Sequence, residues 1–248
     1  FISGIDPNYK DEILTRSGKL QPKYRDKINL ITQPYLNTEY LGFKMDDKDE
    51  NNPLKDKRVR QAINYGFSRE KMIKYMRNNI GYPGEFGIIP MGLAGFDSTS
   101  KAYDYNPEKS KQLLAQAGYP NGEGMQEITL STTATYLDLC KYIQQQLGLL
   151  GIKVKIDVNP PAALREHIAQ GKTQWFRGSW IADYADAENY LSLFYSKNHC
   201  PKGSNYTHFS SKEYDKLYEK AILETDYEKR IALYKKMNDI IIEESPIV

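Results

Sequence analysis

The sequence is poor in the residues that build disulfide frameworks and metal centres. Its 248 residues include only two cysteines, Cys140 and Cys200, and three histidines. The cysteines lack the CxxC spacing of zinc sites, so we predict no metal site and no cofactor. Cys140 lies on an apolar helical stripe and Cys200 in a polar segment, and a disulfide between them would require an oxidising compartment. The sequence leaves the redox state of the pair open.

Long hydrophobic runs and an excess of one charge are also missing. No segment approaches the 18 uncharged apolar residues that indicate a membrane-spanning helix. The 34 lysines and arginines nearly balance the 32 aspartates and glutamates, for a net charge of +2. A nucleic-acid-binding protein would show a concentrated basic stripe, so no nucleic-acid partner is expected. The hydrophobic content of 40% excludes a disordered tail and provides for a folded core.

Motifs of the common enzyme classes are absent as well. The sequence contains no GxSxG, no Walker-type glycine loop, no HExxH and no GxGxxG after a predicted strand. Asp183 and Asp186 lie three residues apart, which leaves a carboxylate-based hydrolase as a remote alternative. His199, Cys200 and His208 could gather a metal ion, but a polar loop is the simpler interpretation. We therefore predict no catalytic residues and a protein that is not an enzyme.

The spacing of the apolar residues predicts an α/β fold. From residue 127 onward, strands and helices alternate as β-α-β-α-β, which favours parallel strands covered by helices. Before this series, the sequence predicts a helix over 6–16, extended segments at 27–31 and 38–43, and helices that begin at Lys57, Ser68 and Asn106. The series itself has strands at 127–132, 152–158 and 174–181 with helices between them. Two final helices follow, capped by Ser210 and Thr225. This α/β domain spans residues 34–243. Because the sequence starts at Phe1 without a targeting segment and stops as an apolar run begins, we expect a piece of a longer protein.

One segment, residues 174–184, concentrates groups that could bind a ligand. Both tryptophans of the chain lie here, on the last strand of the β-α-β-α-β series. Asp183 follows the C-terminal end of that strand, where open α/β sheets bind their ligands. Arg177, Trp180 and Asp183 thus offer a cation, an aromatic plate and an anion, which would complement a zwitterion. Trp175 is expected in the core, and Arg177 has two open roles, ligand contact or an ion pair with a neighbouring acid.

Asp186 lies just beyond this group of side chains. It precedes a predicted helix over 187–196, and aspartate is a favoured residue at the N-terminal cap of a helix. We expect it to cap that helix rather than to contact a ligand.

Five blocks of the sequence together resemble one protein family. Residues 180–190 read WIADYADAENY, similar to the W-x-A-D-Y-x-D-P-x-N-F signature of family 5 extracellular solute-binding proteins. The blocks at 58–65, 106–119, 205–215 and 230–234 are similar to further motifs of that family and occur in the same order. The family comprises the oligopeptide- and dipeptide-binding receptors of ABC importers, and the resemblance covers residues 35–246.

The resemblance implies one lobe of a bilobal receptor, with a type II periplasmic-binding-protein-like fold of a mixed sheet, flanking helices and βαβ units. Residues 1–33 would then be a hinge-proximal leader of the first lobe, residues 34–243 the ligand-binding lobe, and residues 244–248 the start of a strand returning to the first lobe. The family pattern implies that Asp183 holds the α-amino group of a peptide. Ser179 and Ile181 would pair with the peptide main chain, Trp180 would form a wall, and Arg177 would receive a carboxylate.

The resemblance also implies a biological setting. The expected protein is a monomeric substrate-binding component that captures peptides for ABC permease subunits. Its expected location is the periplasm or the cell surface, where it is lipid-anchored through an N-terminus outside this sequence. The same family includes receptors for nickel chelates, haem and oligosaccharides, so these ligands are the alternative to peptides.

Overall fold

The computed structural model describes residues 5, 9–32, 35–100 and 102–248. The chain forms two compact units, residues 1–35 with 68–83 and residues 36–67 with 84–248. Its strands are β1 (Asn37–Phe43), β2 (Ile128–Thr132), β3 (Val154–Val158) and β4 (Trp175–Ile181). Its helices are α1 (Lys10–Ile13), α2 (Lys57–Tyr65), α3 (Arg69–Met76), α4 (Pro107–Gln116), α5 (Leu137–Gly148), α6 (Pro161–Ala169), α7 (Glu188–Leu191), α8 (Lys212–Ala221) and α9 (Tyr227–Glu244).

The smaller unit contains α1 and α3. Asn78, just after α3, donates from Nδ2 to Oδ1 of Asp11 at 2.9 Å, and Asn79 donates to the carbonyl of Arg16 at 2.5 Å. Side-chain amides thus join residues 68–83 to the N-terminal segment, although the sequence assigned them to the large lobe. The observed boundary at residue 35 lies close to the predicted one, and the assignment of residues 1–33 to a first lobe stays a prediction.

The larger unit is built on a four-stranded mixed sheet in the order β1-β4-β2-β3. β2 runs parallel to both β3 and β4, whereas β1 runs antiparallel to β4. The predicted β-α-β-α-β series is therefore confirmed as β2-α5-β3-α6-β4. Helix α5 connects the neighbouring strands β2 and β3, and α6 connects β3 to β4 on the other side of β2. This series places the C-terminal ends of β2, β3 and β4 at one edge of the sheet.

The two faces of β4 differ in what covers them. Phe176 joins the main apolar cluster, together with Tyr40 of β1 and residues of α7, α8 and α9 such as Tyr190 and Met237. On the opposite face the fully buried Trp175 stacks on Phe43, with ring centroids 5.6 Å apart. The first half of β4 is thus held rigidly from both sides, which fixes the direction of its second half.

The C-terminal residues lie along the free edge of β1. Leu41 and Val248 exchange two backbone hydrogen bonds of 2.8 Å, and Phe43 donates to the carbonyl of Pro246 at 2.9 Å. Glu244 is the last residue of α9, so the first residue of the predicted segment 244–248 still belongs to that helix. That this segment continues into another lobe stays a prediction.

Several local predictions need correction. Residues 27–31 form no strand, and Asp6 and Pro7 lie outside the described residues, whose first helix begins at Lys10. The last two long helices are capped one residue later than predicted: Ser211 accepts from the N–H of Tyr214 and Asp226 from that of Lys229. In both helices the capping side chain accepts from the N–H of the third helical residue. The residue at which the helix begins therefore decides which of two adjacent polar residues acts as the cap.

Candidate functional site

The second half of β4 presents an unpaired strand edge. The N–H of Ala182 donates to the carbonyl of Leu36, and that of Lys44 donates to the carbonyl of Gln174. Since antiparallel pairing alternates along a strand, the even-numbered residues of β4 direct their N–H and C=O groups toward β1. The odd-numbered residues direct theirs toward the other edge. There β2 pairs with β4 only at Trp175 and Phe176.

Ser179 and Ile181 are the residues that this geometry leaves open. Both lie beyond the end of β2, and both are exposed, Ile181 to 50%. Within the described residues, no other strand pairs with their N–H and C=O groups on that side. An extended chain added at this edge would continue the sheet where β2 stops.

Asp183 lies two residues beyond the end of β4. Its side chain is exposed, and its carboxylate has no hydrogen bond or ion pair within the described residues. Its backbone N–H donates to Oδ1 of Asn189 at 3.3 Å. The turn after the strand is therefore anchored through the main chain, which leaves both carboxylate oxygens available to a ligand.

Trp180 is held by the same amide. Its Nε1 donates to Oδ1 of Asn189 at 2.8 Å, and Asn189 is 5% exposed in α7. One buried oxygen thus positions both the indole ring and the backbone of Asp183. The sequence analysis missed Asn189. The sequence feature that could have identified it is its position in the block 180–190, nine residues after Trp180.

Asp186 is engaged at the start of α7, although the N-cap residue is Ala187, which makes no side-chain capping hydrogen bond. The N–H of Glu188 donates to Oδ1 of Asp186 at 2.9 Å, and Oδ2 of Asp186 lies 3.6 Å from Nη2 of Arg230. The carboxylate of Asp186 thus has partners within the protein, whereas that of Asp183 has none among the described residues. Trp175, the other expected core residue, is confirmed in the core, with no partner for its Nε1 atom in the described structure.

Arg177 makes the ion pair that the sequence left as one of its two options. Its Nη2 donates to Oε2 of Glu39 on the neighbouring strand β1. Its guanidinium carbon lies 3.5 Å from the ring centroid of Tyr136, which follows β2. Burial lowers the pKa of Arg177 to about 10, so the group is still a cation at neutral pH. The sequence analysis did not identify Glu39 or Tyr136.

A glycine gives β4 its close fit to β1. An added Cβ at Gly178 would lie 2.7 Å from Cζ of Tyr40, which is shorter than a van der Waals contact. The ring of Tyr40 therefore occupies the space of a side chain at residue 178. This contact lies on the core face, opposite to the face that carries Arg177 and Ser179.

The large unit also has an open cavity of about 670 Å³, but at the other end of the sheet. It is lined by Met45 and Asp46, which follow β1, and by residues around α8 and α9. Since β1 ends where β4 begins, this cavity lies away from Asp183. Three of its acidic side chains have internal partners: Asp46 pairs with Lys44, and Lys57 pairs with Glu243 and Glu244 of α9.

The cysteines and histidines form no metal cluster in the described residues. Cys140 and Cys200 are both buried free thiols. His208 contacts Cys200 Sγ at 2.9 Å and Asp46 Oδ2 at 2.7 Å, but no group of three or more ligands in this part of the chain could hold a metal ion. None of the helices in the described residues is long and apolar enough to span a membrane.

Comparisons with known proteins agree with this architecture. Residues 3–201 match the family model "Bacterial extracellular solute-binding proteins, family 5 Middle". The chain is 27% identical over 228 residues to the dipeptide-binding protein of Escherichia coli (strain K12), which covers 90% of this chain and 42% of that protein. It is 30% identical over 226 residues to the glutathione-binding protein GsiB of the same strain, covering 88% of this chain and 43% of the relative.

A solved structure extends the likeness to three dimensions. The ABC transporter-associated periplasmic binding protein DppA from Helicobacter pylori, in complex with the peptide STSA, matches with a TM-score of 0.81 and 28% identity. The match covers 99% of this chain and 45% of the other. The chain thus spans less than half the length of these three relatives. The predicted type II periplasmic-binding-protein-like fold is confirmed.

Proposed function

Because the chain belongs to family 5 of the bacterial extracellular solute-binding proteins, we propose that it forms the peptide-binding lobe of a receptor that serves an ABC importer. The observation that carries the proposal is the exposed, unpartnered carboxylate of Asp183 beside an open strand edge. The carboxylate would hold the α-ammonium group of a peptide. The N–H and C=O groups of Ser179 and Ile181 would pair with the peptide main chain.

Physical chemistry supports this division of roles. A charge-assisted hydrogen bond between an ammonium and a carboxylate is about twice as strong as a neutral one. Main-chain pairing gives affinity without reading side chains, which suits a receptor for many peptides. Trp180, fixed by Asn189, would form an apolar wall beside the amine. Arg177 would flank the ligand on the opposite face of β4 through its stack on Tyr136, with its charge held by Glu39.

The setting of the proposed receptor follows from the family. We propose that it works as a monomer outside the cytoplasm, in the periplasm or lipid-anchored at the cell surface, and that it delivers its ligand to ABC permease subunits. A second lobe would close over the ligand by a hinge motion. The proposed role is binding rather than catalysis, since Asp186 is engaged by the N–H of Glu188 and by Arg230 and offers no second free carboxylate beside Asp183.

Receptors for a nickel chelate, haem or an oligosaccharide are the alternative within the same family. The relatives reported above support peptides, since their names specify a dipeptide, glutathione and the peptide STSA. A free carboxylate beside an unpaired strand edge also suits a peptide better than an uncharged glycan, which offers no ammonium group.

The experiment compares tetra-alanine with its N-acetylated form by isothermal titration calorimetry on the full-length protein. Wild type should bind the free amine more tightly, because acetylation removes the charge that Asp183 holds. Asp183→Asn should weaken binding of the free peptide by about 2–5 kcal/mol, since the ammonium would be desolvated without its partner. It should leave the acetylated peptide nearly unaffected.

The matched control is Asp104→Asn, which neutralises another exposed aspartate. It should leave both affinities unchanged. Equal affinity of wild type and Asp183→Asn for the free peptide would refute the role of Asp183. Saturable binding of a nickel chelate, haem or glycan with no peptide binding would establish the alternative.

A further inference from the structure

Glu39 is tied into the sheet by both of its carboxylate oxygens. Oε2 accepts from Nη2 of Arg177, and Oε1 accepts from Nδ2 of Asn37 at 3.0 Å. In the register of β1 and β4, Glu39 lies directly opposite Ser179. Its side chain therefore lies on the same face of the sheet as those of Arg177 and Ser179. β1 itself pairs with the edge of β4 that is opposite to the open one.

Arg177 is correspondingly fixed and shielded. Its side chain is 16% exposed, Tyr136 covers one face of the guanidinium, and Glu39 engages one of its terminal nitrogens. Arg177 is the more buried partner, whereas the side chain of Glu39 is 42% exposed. A ligand that approaches Arg177 therefore meets a neutral ion pair and not an isolated cation.

A ligand carboxylate at this point would encounter a like charge. It would have to share the guanidinium with Glu39, or displace Glu39 and leave that carboxylate without its cation. Like charges at one site disfavour each other. For a terminal carboxylate this repulsion offsets the attraction of Arg177, so the carboxylate gains no advantage over a terminal amide or a peptide bond.

The position of Arg177 along β4 predicts the peptide length at which a terminal carboxylate would reach the ion pair. Arg177 lies four residues before Ile181, which at about 3.3 Å per residue is about 13 Å. A peptide whose amino end is at Asp183 and whose main chain runs along this edge would reach Arg177 with its fourth or fifth residue. A peptide of that length would end beside the ion pair. A longer one would present an uncharged peptide bond there and leave the edge, since β2 occupies it at Trp175 and Phe176.

We infer that Glu39 is a specificity-determining residue, which prevents Arg177 from selecting peptides by a terminal carboxylate and so makes the lobe indifferent to where the peptide ends. The inference rests on the proposed peptide-binding function and names its substrate class: peptides of variable length, recognised by their amino end. It assigns Arg177 a role in shaping the wall of the site.

The test measures dissociation constants of the full-length protein for alanine peptides of two to six residues, each as the free acid and as the C-terminal amide. Wild type should bind acid and amide with equal affinity, within about threefold, at every length. Glu39→Gln removes the negative charge but keeps an oxygen that can accept from Arg177. This variant should prefer the acid by about tenfold or more at one length, close to four residues.

A second variant keeps the test decisive if Glu39→Gln unfolds. Arg177→Gln leaves the carboxylate of Glu39 without its cation, so that this variant should prefer the amide at the same length. A wild-type preference for the acid that Arg177→Gln abolishes would overturn the inference, and so would acid-to-amide ratios that neither variant changes. If wild type binds none of the peptides, the proposed function fails; if it binds them with the wrong ratios, only this inference fails.

Discussion

The hydrogen bonds of Asn189 lead to a prediction about stability and function together. Asn189→Ala removes one oxygen that accepts from Trp180 Nε1 at 2.8 Å and from the N–H of Asp183 at 3.3 Å. A net hydrogen bond contributes about 0.5–1.5 kcal/mol, so the variant should lose about 1–3 kcal/mol of unfolding free energy. In the full-length protein, peptide affinity should fall as well, because Asp183 and Trp180 lose their common anchor.

A double-mutant cycle isolates the bond to the indole. Trp180→Phe removes the donor, Asn189→Ala removes the acceptor, and urea unfolding followed by circular dichroism gives the free energy of each protein. The two changes should couple by about 0.5–1.5 kcal/mol, since each alone breaks the same bond. In a Trp175→Phe background, Trp180 is the only tryptophan, and Asn189→Ala should shift its emission to the red. Additive free energies together with an unchanged emission maximum would refute the assignment.

Two further predictions concern the framework. Arg60→Ala should lower the unfolding free energy by about 3–5 kcal/mol in urea titrations, because the buried guanidinium donates four hydrogen bonds to backbone carbonyls. Arg58→Ala, in the same helix, should destabilise the protein clearly less because its ion pair is exposed. Equal losses of unfolding free energy would contradict this account. Hydrogen bonds from the side chain and the backbone of Thr99, and the ion pair with Lys235, lower the pKa of Asp97 to about 2. A depressed carboxyl pKa stabilises the fold above the unfolded-state value near 4. Asp97→Asn should therefore be less stable than wild type at pH 6, with a difference that shrinks between about pH 4 and pH 2; a difference independent of pH would exclude this role.

Local sequence patterns were sufficient for the elements that carry the site. The alternation of apolar residues over 152–158 and the caps at Ser68 and Asn106 predicted elements that the structure contains. The position of Asp183 after a strand end could be predicted because the end of β4 and the turn that follows are local features. Helix and strand periods are properties of neighbouring residues, so such predictions do not need the tertiary fold.

Long-range partners could not be predicted in the same way. Glu39 and Arg177 lie 138 residues apart, and their contact depends on β1 joining the sheet antiparallel beside β4. Nothing in either segment specifies that neighbour, because the alternation of a strand is the same whichever strand it pairs with. For this reason the sequence leaves two roles open for Arg177, and the ion pair with Glu39 becomes visible only in the folded sheet.

The sequence by itself determined the α/β class, the β-α-β-α-β series and the family to which the chain belongs, because these depend on residue periodicity and on motifs contiguous in the chain. Only the tertiary structure decided that β2 ends early enough to leave Ser179 and Ile181 with an open edge, that Asn189 anchors Trp180 and Asp183, and that Glu39 neutralises Arg177. Each of these depends on the register between strands or on the approach of side chains from separate elements. Register and approach are set by packing of the whole unit, which no local pattern encodes.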